Sequence, residues 1–544
     1  MRYHRDVAGY FVENFGCRAT QADGAALERQ FEECGLVRAS TPAQASVVVM
    51  NTCTVTAGAD QDARAAIRRM RRQNPDARIV VTGCYAQRAP EEIAALPGVS
   101  LVVGNSHKHQ LAEIVSATAA RVAGESEQRD VSVSEQRDAS VFEQCDAAVS
   151  EPRALNFGWR SASSAAIEVG AQPGASAPGG LAFVSLTTLT ASSGSREPQA
   201  ASPIFVSDIF AHTELLAAPV FDASNERTRP NLKVQDGCDN RCSFCVIPYV
   251  RGQSRSLEAD RIVREVNGLV ESGYREVVIS GINLGRWGRD LAVSSQPSAL
   301  SQAGQQPGPN DRGLTTLIRT ILSETALEKL RISSVEPMDW SDELISQVAS
   351  SPRIAKHAHV PMQSGSDTVL RRMHRKYRPW HYREKIEKIR AAMPTAAIGA
   401  DVMVGFPGET DADFESTRRM IEDLPFTYLH VFTYSARPGT PAAMMKNQVP
   451  VHRARERNRV LRELAAEKKL AFMCGFVGKE VDAITLNLAG GDAIGEFTEA
   501  LTDNYLKLRL RGRHEANRWL RAEIEDVVDG GLVGMCSHRL ASVS

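Results

Sequence analysis

Short apolar runs alternate with helical segments along the first stretch of this 544-residue chain, residues 1–122. Ser46–Met50 reads SVVVM, Ile79–Val81 is a second run, and the arginine-rich segment Ala57–Asn74 between them is predicted to be a helix. Strands that are apolar on both faces are typical of parallel sheets with helices on both sides. We therefore predict an α/β domain built on a parallel sheet.

The same alternation returns in a second stretch, and here it repeats six times. The predicted strands are Leu232–Gln235, Glu276–Ser280, Leu330–Val335, His357–Pro361, Ile398–Val404 and Tyr428–Tyr434. Helical segments such as Glu258–Ser272 and Thr410–Asp423 separate them. Six strand–helix units predict an open, partial (βα)6 barrel with functional residues at the carboxyl ends of its strands.

The last part of the chain has a different pattern. A long charged helix is predicted over about Val451–Met473, and short β-like runs with glycine turns follow it. These runs are Val481–Leu488, Leu506–Leu510 and Leu520–Val528. This spacing favours a small β-barrel.

Two segments interrupt the pattern. An eight-residue unit repeats from Ser126 (SEQRDVSV, SEQRDASV, FEQCDAAV, SEPRAL), and sequence rich in Ser, Ala, Gly and Pro follows it. Such composition cannot bury a core, so we predict a largely disordered insert over residues 123–226. A shorter insert, about 294–312, is predicted to be a surface loop. The predicted domains are therefore 1–122, 227–470 and 471–542.

Charge and cysteine usage narrow the class of protein. The formal net charge is −1, so any nucleic-acid surface must be a local patch. The N-terminus carries no apolar stretch of signal-peptide length, and no run is long enough to span a membrane, which predicts a cytoplasmic protein without a membrane partner. The ten cysteines then indicate metal binding or catalysis rather than disulfides.

Three of these cysteines lie within eight residues, in Cys238-Asp-Asn-Arg-Cys242-Ser-Phe-Cys245. Three thiolates on a [4Fe–4S] cluster leave one iron open for another ligand, whereas a structural zinc site needs four protein ligands. A zinc site or incidental cysteines is the alternative. The position after the first predicted barrel strand favours the cluster.

A second set, Cys17, Cys53 and Cys84, follows three different predicted strands of the first domain. The carboxyl ends of parallel strands meet at one edge of a sheet, where ligands bind. The spacing itself contains no metal motif, and three buried structural cysteines explain it equally well.

Polar or glycine-rich segments follow the other barrel strands. They are Ser280-Gly281, Glu336-Pro337, Gln363-Ser-Gly-Ser-Asp367 and Gly405-Phe-Pro-Gly-Glu409. Glycine turns at strand ends let backbone groups approach a ligand closely, although ordinary loops have the same composition.

The CxxxCxxC motif with Phe244 before its last cysteine resembles the radical S-adenosylmethionine (SAM) superfamily. This resemblance implies that Cys238, Cys242 and Cys245 hold a [4Fe–4S] cluster whose open iron binds SAM. It further implies a SAM pocket lined by Phe244, Ser280, Glu336, Ser364, Gly405, Gly408 and Glu409.

The segments Asn14-Phe-Gly-Cys17, Asn51-Thr-Cys53-Thr-Val-Thr, Thr82-Gly-Cys84-Tyr-Ala-Gln and Arg227–Cys238 resemble the methylthiotransferase family, and the C-terminal barrel resembles a TRAM domain, an RNA-binding module. This resemblance implies a flavodoxin-like N-terminal domain and a second [4Fe–4S] cluster on Cys17, Cys53 and Cys84. It also implies a tRNA anticodon loop as substrate, an electron donor such as flavodoxin or ferredoxin, and a sulfur source.

Within the family, Asn51–Thr56 with Ala59-Asp60 is most similar to the MtaB type, which acts on threonylcarbamoyladenosine 37 of tRNA. The MiaB type, acting on isopentenylated adenosine 37, and the RimO type, acting on a ribosomal-protein aspartate, are alternatives. A metal-containing RNA-binding protein without catalysis and a simple electron-transfer protein are rivals from other classes.

Three basic clusters are candidates for RNA phosphates. They are Arg64, Arg68, Arg69, Arg71 and Arg72; Arg371, Arg372, Arg375 and Lys376; and Arg509, Arg511 and Arg513. Solvated surface charge explains each cluster as well. Tyr505 is predicted either to stack on a base or to pack in a core.

Overall fold

A computed structural model describes residues 9–118, 202–212, 214–216, 228–291, 313–492 and 495–539. All of them belong to one of two compact units, which comprises residues 1–118 and 201–544. The other unit, residues 119–200, and most of the predicted insert 123–226 lie outside the described residues, as does the whole of the predicted loop 294–312. The predicted domain limits stay predictions.

The described residues contain eighteen strands. In chain order they are β1 (Gly9–Asn14), β2 (Val37–Arg38), β3 (Val47–Thr52), β4 (Arg78–Gly83), β5 (Val99–Gly104), β6 (Ile204–Phe205), β7 (Asn231–Asp236), β8 (Arg255–Ser256), β9 (Glu276–Gly281), β10 (Lys329–Ile332), β11 (His357–His359), β12 (Ala397–Val404), β13 (Tyr428–Thr433), β14 (Glu480–Asp492), β15 (Gly495–Thr502), β16 (Lys507–Arg511), β17 (Trp519–Val528) and β18 (Gly531–Arg539).

The helices lie mainly between these strands. They are α1 (Arg18–Glu33), α2 (Ala57–Gln73), α3 (Cys84–Arg88), α4 (Pro90–Ala94), α5 (Ile247–Arg251), α6 (Ala259–Glu271), α7 (Leu314–Glu324), α8 (Asp342–Ser350), α9 (Asp367–Arg372), α10 (Pro379–Ala392), α11 (Asp411–Asp423) and α12 (Val451–Cys474). Residues 111–118 are also helical. No helix among the described residues is both long and apolar enough to cross a bilayer.

The N-terminal strands form one parallel sheet in the order β2-β1-β3-β4-β5-β6. Every residue of β3 is buried, as expected for a strand that is covered on both faces. The predicted parallel-sheet domain is confirmed. One strand was not anticipated: β6, which pairs with Val102 and Val103, comes from the range assigned to the insert.

The central strands form an incomplete barrel. β7, β9 and β10 are parallel neighbours, β11, β12 and β13 are parallel neighbours, and a bridge from Ser334 to His359 joins the two groups. β7 and β13 do not pair, so the barrel is open between them. The predicted partial (βα)6 barrel is confirmed.

The two faces of this barrel differ in polarity. The outward side chains, such as Leu232, Val277, Leu330 and Ile398, belong to one apolar core that they share with the surrounding helices. The inward positions alternate with them and are mostly polar. They include Lys233, Gln235, Glu276, Ser280, Arg331, His357, His359, Asp401 and His430. The interior of the barrel is therefore suited to polar contacts rather than to a dry core.

The C-terminal strands close into a five-stranded barrel in the order β14-β15-β16-β18-β17, which confirms the predicted small β-barrel. Tyr505 lies in the turn between β15 and β16, and its ring centroid is 4.9 Å from that of His357 at the start of β11. The Arg331 guanidinium lies 5.3 Å from the centroid of the Tyr505 ring. Tyr505 is thus part of the packing between the small barrel and the central barrel.

Candidate active site between two cysteine triads

The first triad, Cys238, Cys242 and Cys245, lies on the loop that follows β7. The Cys238 N–H donates to the Gly252 carbonyl over 3.1 Å, and the Cys245 N–H donates to the Cys242 carbonyl over 3.1 Å. These bonds fold the loop so that its three thiols share one region. All three are free and partly buried.

The surroundings of this triad suit thiolates bound to a metal. Burial, followed by the charge of Cys242, raises the pKa of Cys245 to about 12, and burial also raises that of Cys238. Unbound thiolates would thus be costly here, whereas metal ligation provides the missing counter-charge. Two N–H groups already point at the sulfurs: Asn283 Nδ2 lies 3.5 Å from Cys238 Sγ, and Arg375 Nη1 lies 3.3 Å from Cys242 Sγ.

Arg375 also donates to the carboxylate of Glu336, and Cys242, Glu336 and Arg375 line a small recess beside the triad. Burial raises the pKa of Glu336 although Arg375 opposes this effect. Arg375 is only 7% exposed, which corrects its assignment to a basic cluster for RNA. A run of basic residues does not reveal which member turns inward, and only the fold separates Arg375 from the exposed Arg371 and Lys376.

The Gly405–Glu409 turn meets the triad loop at two points. The rings of Phe244 and Phe406 pack edge to face with centroids 6.4 Å apart. Arg372 links the backbones, because its Nη1 donates to the Gly408 carbonyl over 2.6 Å while its own carbonyl accepts from Ser243 Oγ over 2.7 Å. Phe244, Gly405 and Gly408 are thus placed together beside the cysteines.

Glu409 and Ser364 have partners within the scaffold. The Glu409 carboxylate accepts from the Gly405 N–H and from Arg457 Nη1, each over 2.6 Å, and thereby fixes the turn on α12. Ser364 Oγ lies 3.2 Å from Thr417 Oγ1 of α11. Ser280, in contrast, is buried and its hydroxyl has no hydrogen-bond partner in the part of the chain that is described. SAM binding by these residues stays a prediction.

The second triad gathers three strand ends of the N-terminal sheet. Cys17 precedes α1, Cys53 follows β3, and Cys84 begins α3 directly after β4. Cys53 and Cys84 are buried, and Cys17 is exposed. Burial, then the charges of Cys84 and Cys17, raise the pKa of Cys53 to about 12. The thiol of Cys53 therefore lies within electrostatic range of those of Cys17 and Cys84, which the sequence spacing alone could not show.

A single short segment contacts both triads. Val246, directly after Cys245, packs in an apolar cluster with Cys84. Asn105 Nδ2 donates to Cys84 Sγ over 3.6 Å and to the Val250 carbonyl over 2.7 Å. Since the Gly252 carbonyl accepts from the Cys238 N–H, residues 246–252 place the two triads on neighbouring sides of one loop and helix.

A buried ion network lies next to this segment and joins the two domains. Asp23 of α1 pairs with Lys108 (3.0 Å), Arg251 (2.9 Å) and Lys233, and Asp236 pairs with Lys233 (2.8 Å) and Arg251 (2.9 Å). Burial opposes the charge of Asp23, but these cations outweigh it and lower its pKa. Lys233 and Asp236 lie in the segment Arg227–Cys238 that carries the family resemblance, but the network itself was not predicted, because most of its members are far apart in the chain.

Both triads fit [4Fe–4S] clusters. Each offers three free thiols that interact electrostatically and at least one N–H donor directed at sulfur, which are features of clusters with one open iron. No fourth cysteine among the described residues is placed with either triad, and a structural zinc site would need a fourth ligand.

The candidate RNA-binding arginines are partly engaged in ion pairs. Arg64 pairs with Glu92 and Arg511 with Glu525, each over 2.6 Å. Exposed pairs of this kind contribute little, about 0–1 kcal/mol, and are easily exchanged for phosphate contacts. The RNA-binding role of these clusters stays a prediction.

The open barrel and its three-cysteine loop define a radical SAM protein, and the comparisons with known proteins agree. Residues 232–421 match the family model described as the radical SAM superfamily. Residues 9–104, which include the second triad, match the model described as uncharacterized protein family UPF0004.

Curated relatives match nearly the whole chain. Proteins named threonylcarbamoyladenosine tRNA methylthiotransferase MtaB from Aquifex aeolicus and Bacillus subtilis are each 32% identical, over 94% of this chain and 99% and 92% of their own lengths. A tRNA-2-methylthio-N(6)-dimethylallyladenosine synthase from Cereibacter sphaeroides is 30% identical over 87% of this chain and 86% of its own length. Among solved structures, the radical SAM methyltransferase TsrM from Kitasatospora setae is similar at 14% identity and a TM-score of 0.46, over 80% of this chain and 77% of that chain.

The chain belongs to the radical SAM methylthiotransferase family. It is therefore an enzyme, and its cofactors are two [4Fe–4S] clusters and SAM.

Proposed function

We propose that this enzyme transfers a methylthio group to C2 of N6-threonylcarbamoyladenosine at position 37 of tRNA, giving the 2-methylthio product. The observation that carries the proposal is the contact of residues 246–252 with both triads. An enzyme that inserts sulfur into an unreactive C–H bond needs a radical source and a sulfur source close to the same atom. The two neighbouring triads meet that requirement.

The residues divide into two sets of roles. Cys238, Cys242 and Cys245 hold the cluster at which SAM binds, and Cys17, Cys53 and Cys84 hold the second cluster. When bound, these cofactors supply the radical, the methyl group and the sulfur. The protein holds both metal centres at fixed positions, keeps water away from Cys53 and Cys84 by burying them, and directs Arg375 and Asn283 at the thiolates of the first triad.

The SAM pocket that we propose surrounds the recess at Glu336. Glu336 is the acceptor for the amino group of SAM, and Phe244, Gly405 and Gly408 form the neighbouring wall. Ser280 contributes a buried hydroxyl that has no hydrogen-bond partner among the residues described. Ser364 and Glu409 position SAM indirectly, because their hydrogen bonds stabilise the turns in which they lie.

The partners follow from the substrate. An anticodon loop is single-stranded, so its bases can be turned out of the stack and into a site. A tRNA substrate places the reaction in the cytoplasm, where flavodoxin or ferredoxin serves as electron donor and a separate sulfur source replenishes the second cluster.

A second candidate substrate is isopentenylated (dimethylallyl) adenosine 37, because the Cereibacter sphaeroides relative carries that activity in its name. The deciding experiment expresses the gene in a host strain that lacks its own methylthiotransferases and identifies the tRNA nucleosides by mass spectrometry. Methylthio-threonylcarbamoyladenosine is the expected product. The isopentenyl product would keep the reaction and replace the substrate. Neither product, from a protein that holds iron and cleaves SAM, would contradict a tRNA substrate and point to a protein substrate.

A further inference from the structure

Four polar side chains converge on the inward face of the central barrel at its open side. His359, Asp401, Tyr428 and His430, which we call the inner-face cluster, come from β11, β12 and β13, and the register pairs Asp401 with His430. His359 Nε2 lies 3.1 Å from Asp401 Oδ1, and its Nδ1 lies 3.1 Å from the Tyr428 hydroxyl. Candidate ligand atoms of His359, Asp401 and His430 all lie within 4.8 Å of one another.

A glycine on β12 gives the inner-face cluster space, and part of the cluster is exposed to solvent. At Gly399 of β12, a Cβ would collide with the Tyr428 ring, so the glycine allows the ring to lie against the strand. His359 is buried, whereas His430 is exposed, and its neighbour on the same face, Phe432, is 49% exposed. Polar and aromatic groups on an open concave face are what a ligand site requires.

A cation from the other domain reaches the edge of the cluster. Arg18 follows Cys17, a member of the second triad, and its Nη2 donates to the Tyr505 hydroxyl over 3.1 Å. The Tyr505 ring lies 6.2 Å from that of Tyr428, which in turn lies 5.4 Å from that of His430. Arg18 is exposed and has no ion-pair partner within the described part of the chain. Most of its five N–H donors therefore remain available.

The electrostatics agree with this placement. Partial burial lowers the pKa of His430, and the charge of Arg18 acts in the same direction while the neighbouring Asp401 opposes it. The ring nitrogens of His430 can each take part in a hydrogen bond. Arg229 and Arg331 also lie near the Tyr505 ring, but both pair with Glu276. Arg18 is the exposed cation at this edge. Arg18 follows Cys17 of the second triad in the chain and lies near the inner-face cluster through its contact with Tyr505.

The names of the relatives give two substrates, threonylcarbamoyladenosine and dimethylallyladenosine. The N6 groups of these nucleosides differ in polarity, and Arg18 and the inner-face cluster can distinguish them on that basis. A threonylcarbamoyl group ends in a carboxylate and a hydroxyl, whereas a dimethylallyl group is a hydrocarbon. Building on the function proposed above, we propose that Arg18 and His430 bind the carboxylate and hydroxyl of the N6-threonylcarbamoyl group, so that they are specificity-determining residues. An arginine fork matches a carboxylate in two parallel hydrogen bonds, and a site built for a polar group rejects a hydrocarbon because its own donors would be left unpaired.

The test measures binding by the cluster-loaded, full-length enzyme. The ligands are three anticodon stem-loops that differ only at position 37: threonylcarbamoyladenosine, its methyl ester, and unmodified adenosine. The variants are Arg18→Gln and His430→Phe, which keeps a ring. Arg38→Gln is the matched control, since Arg38 lies on the same domain and is paired with Glu28. Product formation by the unaltered enzyme on the threonylcarbamoyl loop is recorded in parallel.

Wild-type enzyme should prefer the threonylcarbamoyl loop to the ester and to unmodified adenosine. Arg18→Gln should reduce that preference about 10- to 100-fold, the range of a charge-assisted hydrogen bond, with unchanged affinity for the unmodified loop. His430→Phe should reduce it less, and Arg38→Gln not at all.

Equal loss of affinity for all three loops would overturn the proposal, because Arg18 would then contact a backbone phosphate. An unchanged preference in Arg18→Gln would also overturn it. Product formation is measured on the wild-type enzyme, separately from binding. If wild-type enzyme forms the methylthio product while Arg18→Gln keeps the wild-type preference, only this inference is contradicted. A wild-type protein that forms no product from the threonylcarbamoyl loop would contradict the proposed function.

Discussion

The guanidinium of Arg375 donates from Nη1 to the sulfur of Cys242 over 3.3 Å, and the same side chain is bonded to Glu336. One buried cation therefore contacts a thiolate of the first triad and the carboxylate that lines the SAM recess. A positive N–H donor at a ligating sulfur favours the more negative, reduced state of a cluster.

Replacing Arg375 should make the first cluster harder to reduce. A hydrogen bond to a charged group contributes about 1.5–3 kcal/mol, and a difference of ~1.4 kcal/mol between oxidation states equals ~59 mV for one electron. We expect Arg375→Met to lower the potential of this cluster by roughly 50–100 mV in an EPR-monitored redox titration. Arg371→Met, an exposed neighbour, is the control and should leave it unchanged. An equal shift in both variants would exclude a specific effect of Arg375.

Removing one cysteine from each triad should separate the two metal centres. Cys238→Ala should hold about four iron atoms per chain instead of about eight, and it should lose SAM cleavage. Cys53→Ala should lose a similar amount of iron yet still cleave SAM to 5′-deoxyadenosine, without forming methylthio product. Iron analysis of anaerobically reconstituted protein and chromatography of the nucleosides provide the measurements. Unchanged iron in Cys238→Ala, or product formation by Cys53→Ala, would contradict the assignment of that triad.

A methyl group at Gly16 should damage the second triad selectively. A Cβ at this residue would lie 2.5 Å from Cys53 Cβ and 2.8 Å from Cys53 Sγ, and the backbone φ of +103° already disfavours a side chain. Gly16→Ala should therefore lose iron from the second cluster while SAM cleavage persists.

Gly35→Ala is the matched control for that variant. Gly35 also has a positive φ, +79°, but nothing lies within 4 Å of its Cβ position. It should cost the free energy of backbone strain, about 1 kcal/mol, and keep both clusters. If Gly35→Ala lost the same iron as Gly16→Ala, strain rather than contact with Cys53 would be the cause.

Stability should fall in mildly acidic solution because of His357. Burial, then the charge of Arg331, holds the pKa of His357 well below its usual 6.5, and its Nε2 is bonded to the Tyr428 hydroxyl over 2.6 Å. The unfolded chain takes up a proton below about pH 6.5 and the folded chain does not, so the free energy of unfolding is unaffected above that pH and decreases below it. The slope from this single group is about 1.4 kcal/mol per pH unit.

Urea unfolding at a series of pH values from about 5.5 to about 7.5 measures this slope. His357→Gln should reduce it, since glutamine does not titrate. His381→Gln, at an exposed histidine, should not. Parallel pH profiles for wild-type protein and His357→Gln would show that other groups determine the acid sensitivity.

Much of the fold was predictable because its signals are local. The buried strand β3 and the six strand–helix units each carry their pattern within a few residues, and Cys238, Cys242 and Cys245 lie on one loop. Strand β6 was missed because two residues, Ile204 and Phe205, form no periodic pattern and pair with β5 only after a long insert. Arg375 was assigned to the wrong environment because two of its partners, Cys242 and Glu336, are far away in sequence.

The sequence by itself determined the parallel sheet, the partial barrel and the small β-barrel of this protein and the chemistry of its first triad, because hydrophobic periodicity and thiol spacing act over a few neighbouring residues. Only the tertiary structure decided what those parts do together. It brought Cys17, Cys53 and Cys84 to one sheet edge, placed residues 246–252 between the triads, and set Arg18 beside the inner-face cluster. Such contacts depend on how strands far apart in the chain are ordered and packed, and no local pattern of residues records that order.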